Sequence, residues 1–115
     1  MIGASFSETV ESKRKKLISA YVKSNYKSAS LTELAGKLYL SPPYLSRLVL
    51  ELFGKSFKAL LIDERMHRAM TLILESSMPI NEIISGVGYE NASYFHREFK
   101  KRFGTTPLSV RKSKK

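Results

Sequence analysis

The chain contains no cysteine, so neither a disulfide nor a thiolate metal site can hold it together. It has no run of about eighteen apolar residues, which excludes a membrane-spanning helix. The opening stretch, MIGASFSETVESKRKK, has no apolar segment of signal-peptide length. Nowhere do apolar and polar residues alternate with the period of a half-buried strand. These absences leave a soluble, cytoplasmic, all-α domain as the expectation. With 115 residues and 43% hydrophobic content, there is material for one modest core or two very small lobes.

Acidic residues are scarce at the two ends. Residues 1–30 hold six Lys/Arg against two acids, residues 31–93 six against seven, and residues 94–115 eight against one. The formal charge of +10 therefore resides at the termini around a near-neutral middle. That distribution suits a polyanion: nucleic acid first, an acidic membrane or protein next.

Apolar spacing at Val10, Leu17, Ile18, Tyr21 and Val22 predicts an amphipathic helix from about Glu8 to Asn25. Ser30-Leu31-Thr32-Glu33 reads as a capping box that opens a short helix through Leu38. Ser41 followed by Pro42 and Pro43 starts another, which runs to Phe53 and stops at Gly54. Ser56 to about Ser76 is the longest candidate helix, roughly 30 Å at 1.5 Å per residue. Pro79 opens a short helix ending at Gly88, and Asn91 caps one that runs through Phe103 to Gly104.

Two of these segments repeat. At an offset of 50, Tyr44 aligns with Tyr94, Leu45 with Phe95, Arg47 with Arg97, Val49 with Phe99, Phe53 with Phe103 and Gly54 with Gly104. At an offset of 49, Leu34-Ala35 aligns with Ile83-Ile84 and Leu38 with Val87. Amphipathic helices share apolar spacing by necessity, but periodicity alone does not reproduce an arginine and a Phe-Gly stop. Each copy has the layout short helix, tight turn, longer helix, which is that of a helix-turn-helix. Gly88 marks the second turn, whereas the first has Tyr39, a weaker turn signal. Successive major grooves on one face of B-DNA lie roughly 34 Å apart, so a helical spacer of about 30 Å suits two recognition helices in adjacent grooves. The expected organisation is a first lobe at 8–55, a linker helix at 56–76, a second lobe at 77–111 and a basic tail at 112–115.

These motifs resemble the DNA-binding domain of the AraC/XylS family of bacterial transcription regulators over roughly Leu17 to Arg111. The most specific part is Ile80 to Ile83, then Val87-Gly88-Tyr89-Glu90-Asn91, Ser93 to Lys101 and Phe103 to Pro107. Leu31 to Ala35, Ser41, Tyr44 to Arg47, Phe53-Gly54 and Phe57 match the first motif. The resemblance implies seven helices, two helix-turn-helix motifs, and promoter binding by helices at 42–53 and 92–103. It implies activation in preference to repression, with RNA polymerase as a further partner. It also implies an N-terminal sensing or dimerising domain. Two positions depart from the family: Ile84 stands where a small residue is usual, and Pro43 where proline is not.

Base readout requires side chains on the exposed face near the start of a recognition helix. In the first copy these are Pro43, Ser46 and Arg47, with Tyr44 beside them. In the second they are Asn91, Ser93, His96 and Arg97, with Ala92 placed to meet a thymine methyl. Asn91 reads first as an N-cap, and Tyr44 and Tyr94 as packing residues with their hydroxyls at the surface. Phe95, Phe99 and Phe103 recur at core spacing. Ser30, Ser41, Lys100, Lys101, Arg102, Thr105 and Thr106 are candidate phosphate contacts. The run from Arg111 to Lys115 reads as a frayed tail with a general attraction for DNA. No catalytic, metal or cofactor site is expected. His67 and His96 have no acid partner at suitable spacing, and Asp63-Glu64 looks like a helix face. The competing readings are an interaction module for an acidic protein or membrane, and a sequence-blind nucleic-acid packager.

Overall fold

The computed structural model describes residues 9–113; Glu8, where the first helix was expected to start, and Lys114 and Lys115 lie outside that range. Among the described residues there are seven helices and no strand. They are α1 (Val10–Asn25), α2 (Leu31–Lys37), α3 (Pro42–Phe53), α4 (Phe57–Glu75), α5 (Ile80–Gly86), α6 (Ala92–Phe103) and α7 (Pro107–Ser113). The described residues divide into two compact units, one of residues 9–25 and 29–61 and the other of 26–28 and 62–113. Helix α4 runs from one into the other.

In the first unit, α1, α2, α3 and the first turn of α4 bury Ile18, Val22, Leu34, Ala35, Leu45, Val49 and Phe57. Three of the five residues of the expected face of α1 are buried: Val10 is 63% exposed and Leu17 is 53% exposed. The helix packs through Ile18, Tyr21 and Val22, which lie within about one turn of each other. The cap of α2 also differs from a simple capping box. Ser30 accepts from the Glu33 N–H at 3.1 Å as expected. The reciprocal arm passes through another side chain: the Ser30 N–H donates to the Tyr21 hydroxyl at 2.9 Å, and that hydroxyl donates to the Glu33 carboxylate. Burial and the bond to Glu33 raise the Tyr21 phenol above its ordinary pKa.

The second unit is built on aromatic packing. Phe95 and Phe99 are fully buried, with ring centroids 5.7 Å apart, and Tyr89 meets Phe95 edge-on at 5.3 Å. Met66, Ala69 and Ile73 of α4, Ile83 and Ile84 of α5, and Val87 at the C-cap of α5 complete the core. Two arginines fix its main chain. Arg65 Nε donates to the Tyr26 carbonyl at 2.7 Å, while its guanidinium lies 5.5 Å from the Tyr89 ring. Arg111 is not part of a frayed tail. It extends from α7 to donate to the carbonyls of Leu72, Ile73, Ser76 and Met78, at 3.3, 3.1, 3.1 and 2.7 Å. Helix α4 has no basic residue in its own last turn, so Arg111 supplies both the missing donors and the positive charge that a helix C-terminus favours.

Both helix-turn-helix turns require a left-handed residue. Gly88 adopts φ +105 and Tyr39 adopts φ +59, so the first turn has the left-handed geometry without glycine. The copies differ in what lies beside the turn. A Cβ on Gly88 would sit 2.8 Å from the Lys27 carbonyl oxygen and 3.0 Å from Arg65 Nε. Tyr39, 95% exposed, meets no such obstacle. Glycine is thus demanded at 88 by a close approach as well as by φ.

Three outcomes follow for unfolding measurements. Gly88→Ala should cost about 2 kcal/mol or more, while Tyr39→Gly should leave stability unchanged or raise it by up to about 1 kcal/mol through strain relief. Arg111→Ala should cost about 2–3 kcal/mol, and Arg111→Lys should recover little, because an ammonium cannot reach four carbonyls with a planar fork. The Tyr89 hydroxyl is buried without a hydrogen-bond partner among the described residues, and burial pushes its phenol up to about 12. A raised folded-state pKa means stability is fully present below pH 10, the unfolded value, and is lost as pH rises toward about 12. Tyr89→Phe should therefore match or exceed the parent at pH 7 and show a shallower decline in denaturant midpoint between pH 9 and 11.

Candidate nucleic-acid interface

Helices α3 and α6 share one construction. Each begins with an extended N-cap residue whose side chain accepts the N–H three residues on. Ser41 accepts from Tyr44 at 3.3 Å, and Asn91 accepts from Tyr94 at 3.0 Å. Each ends on a left-handed glycine, Gly54 at φ 73 and Gly104 at φ 75, whose N–H closes on the carbonyl of Leu50 or Lys100. Within these limits one face is fully buried, by Leu45 and Val49 in α3 and by Phe95 and Phe99 in α6. The helical period then forces the opposite face outward.

That outward face carries the predicted residues. Pro43, Tyr44, Ser46 and Arg47 are exposed on α3, and Ala92, Ser93, His96 and Arg97 on α6, with Asn91 exposed at its cap. Pro43, Ser46 and Arg47 are spaced to share one side of α3; Ser93, His96 and Arg97 share the corresponding side of α6. The two arginines have matching surroundings. The Arg47 guanidinium carbon lies 5.9 Å from the centre of the Tyr44 ring, and that of Arg97 lies 5.8 Å from the Tyr94 ring. Tyr94 is only partly exposed and packs against Tyr89 at 5.8 Å; His96 meets Phe95 edge-on at 5.6 Å.

The candidate phosphate residues divide. Lys100 and Lys101 are exposed on the last turn of α6. Arg102 is exposed too, but its Nη1 donates to Asp63 at 2.7 Å, so its charge is partly answered within the protein. Asp63 and Arg102 are 39 residues apart, and no local spacing signals the pair. Ser30 and Ser41 use their oxygens as helix caps. Thr106 accepts from the Ser109 N–H at 3.1 Å and bonds the Ser109 hydroxyl at 3.0 Å, capping α7. Thr105 is partly buried. Alignment of the repeats also brings out an asymmetry: at the positions of Lys100 and Lys101, α3 has exposed Leu50 and Glu51. Among the described residues no helix is long and apolar enough to cross a membrane.

Residues 34–113 match a helix-turn-helix domain family. The chain is 38% identical over 80 residues to the transcriptional regulator SirC of Salmonella typhimurium, a stretch covering 70% of this chain and 27% of that protein. It is 43% identical over 58 residues to the HTH-type transcriptional activator CsvR of Escherichia coli, covering 50% of this chain and 22% of that one. Among solved structures, the C-terminal domain of AraT, a response regulator from Geobacillus stearothermophilus, matches with a TM-score of 0.81 at 34% identity. That match covers 91% of this chain and 88% of the solved one. The match spans about a quarter of the length of these two relatives and about a tenth of a longer one, an uncharacterized HTH-type transcriptional regulator of Bacillus subtilis that is 34% identical over 86 residues. A repeated helix-turn-helix with two outward-facing helices, matched along most of its length, identifies the chain as a member of the AraC/XylS family of DNA-binding transcription regulators.

Proposed function

We propose that α3 and α6 are recognition helices that read a specific double-stranded promoter site in two adjacent major grooves. The observation that carries this reading is the shared outward register of the two helices, each presenting an arginine at its sixth position. Arginine pairs bidentately with guanine in the major groove, and the neighbouring Ser46, Ser93 and His96 add donors and acceptors for other base edges. Pro43 and Ala92 offer apolar contact to a thymine methyl. Lys100 and Lys101 grip phosphate, which fixes register without reading sequence. What supports two grooves is the 19-residue length of α4, roughly 28 Å, beside a groove repeat of roughly 34 Å.

The regulator works in the cytoplasm and acts as an activator, a reading supported by the naming of CsvR as one. RNA polymerase is then a second partner. A sensing or dimerising domain completes the regulator, in keeping with relatives several times longer than the matched stretch.

Selection from a random duplex pool at near-physiological salt tests this directly. It should enrich an asymmetric site with two short boxes about one helical turn apart; binding without enrichment would leave only sequence-blind coating. On the selected duplex, Arg97→Ala should lose about 1–3 kcal/mol, and far less on random DNA. Lys100→Ala and Lys101→Ala should weaken both duplexes alike, each lowering the slope of log affinity against log salt by about one. Equal losses on the two duplexes for Arg97→Ala would remove it from base reading.

A further inference from the structure

The recurrence of Tyr44 beneath Arg47 and Tyr94 beneath Arg97 is more than shared helix spacing. The neighbours around the two pairs differ: Ser41, Pro42, Pro43 and Ser46 in one, Asn91, Ala92, Ser93 and His96 in the other. Yet the guanidinium-to-ring distances agree to 0.1 Å, 5.9 against 5.8 Å. In both, the tyrosine is the residue whose N–H the cap side chain holds. The cap fixes the tyrosine backbone, and the ring face three residues before the arginine attracts its guanidinium.

Other arginine–aromatic pairs in the molecule have additional anchors. Arg65 over Tyr89 bonds main-chain carbonyls, and Arg68 over Tyr26 bonds Glu64 at 2.6 Å. At Arg47 and Arg97 the described residues provide the ring and no carboxylate, so the guanidinium keeps its donors for an outside partner.

We propose that Tyr44 and Tyr94 are positioning residues that hold Arg47 and Arg97 over the first turn of each recognition helix before DNA arrives. An unrestrained arginine loses several rotatable bonds on binding, and pre-ordering reduces that entropic cost. The ring face does this work, while the phenol oxygen does not. The inference rests on the base-reading role proposed above for the arginines.

A double-mutant cycle in the 115-residue chain tests it, using Tyr44→Leu, Arg47→Ala and the pair, on the selected duplex and on a random one. Tyr44 suits the test because it is 40% exposed and lies outside both cores. Tyr44→Leu should weaken selected-site binding about two- to fivefold, the range of an exposed cation–π contact. It should leave random-duplex binding unchanged and add nothing once Arg47 is alanine. Tyr44→Phe should bind like the parent. In the second copy, where Tyr94 packs on Tyr89, Tyr94→Phe should likewise retain full affinity.

Additive losses from Tyr44→Leu and Arg47→Ala would overturn the proposal, since the tyrosine would then act without the arginine. A loss on Tyr→Phe would overturn it by assigning the role to the hydroxyl. If Arg47→Ala itself binds the selected duplex like the parent, the base-reading role of that arginine fails, and this inference for Tyr44 falls with it. Thermal unfolding of each variant separates a folding defect from any of these outcomes.

Discussion

Helices α3 and α6, if they are to read DNA as proposed, have to be held by one side only. A 12-residue helix offers little more than three turns, and every residue spent on packing is one withdrawn from the outer face. The chain resolves this by making the inner side as effective as it can be. Phe95 and Phe99 in α6, and Leu45 and Val49 in α3, are fully buried, so a few large side chains carry the packing. The ends are closed by a capping side chain at one and a left-handed glycine at the other. The outer side is then left out of the core, and residues 43, 46 and 47, like 93, 96 and 97, stay exposed.

The local parts of this scheme were legible in the sequence. Ser30, Ser41 and Asn91 cap where their residue types predict, and Gly54 and Gly104 stop α3 and α6, because capping depends on neighbours within three or four residues. What was not legible depends on residues far apart in the chain. Tyr21 completes the cap of α2 from nine residues before Ser30. Asp63 takes up Arg102 from 39 residues away. Arg111 stood in a stretch that reads as a solvated tail, yet it closes the end of α4 more than thirty residues upstream. A basic residue near a terminus looks the same on paper whether it reaches water or a row of carbonyls.

Comparison of the two copies separates what the motif requires from what its setting requires. Both turns take a positive φ, at Tyr39 and at Gly88, so the motif needs the left-handed conformation and not glycine itself. Only in the second unit does the Tyr26–Ser28 segment press against the turn, with Arg65 bonded to the same segment. Glycine there is a consequence of that contact. Likewise Val10 and Leu17 have helical spacing but are more than half exposed among the described residues, which periodicity cannot reveal.

The same distinction bears on the charge of +10. Arg65, Arg68, Arg102 and Arg111 all donate to carbonyls or carboxylates of the protein. Those bonded only to carbonyls still contribute to the positive field that draws a polyanion in, since a carbonyl does not neutralise them. They are not free, however, to leave their partners and form new contacts. Arg47 and Arg97 differ, because a ring face restrains a guanidinium without occupying its donors. On the proposed reading, attraction and recognition therefore fall to different residues, with Arg47 and Arg97 the arginines of α3 and α6 whose donors stay open.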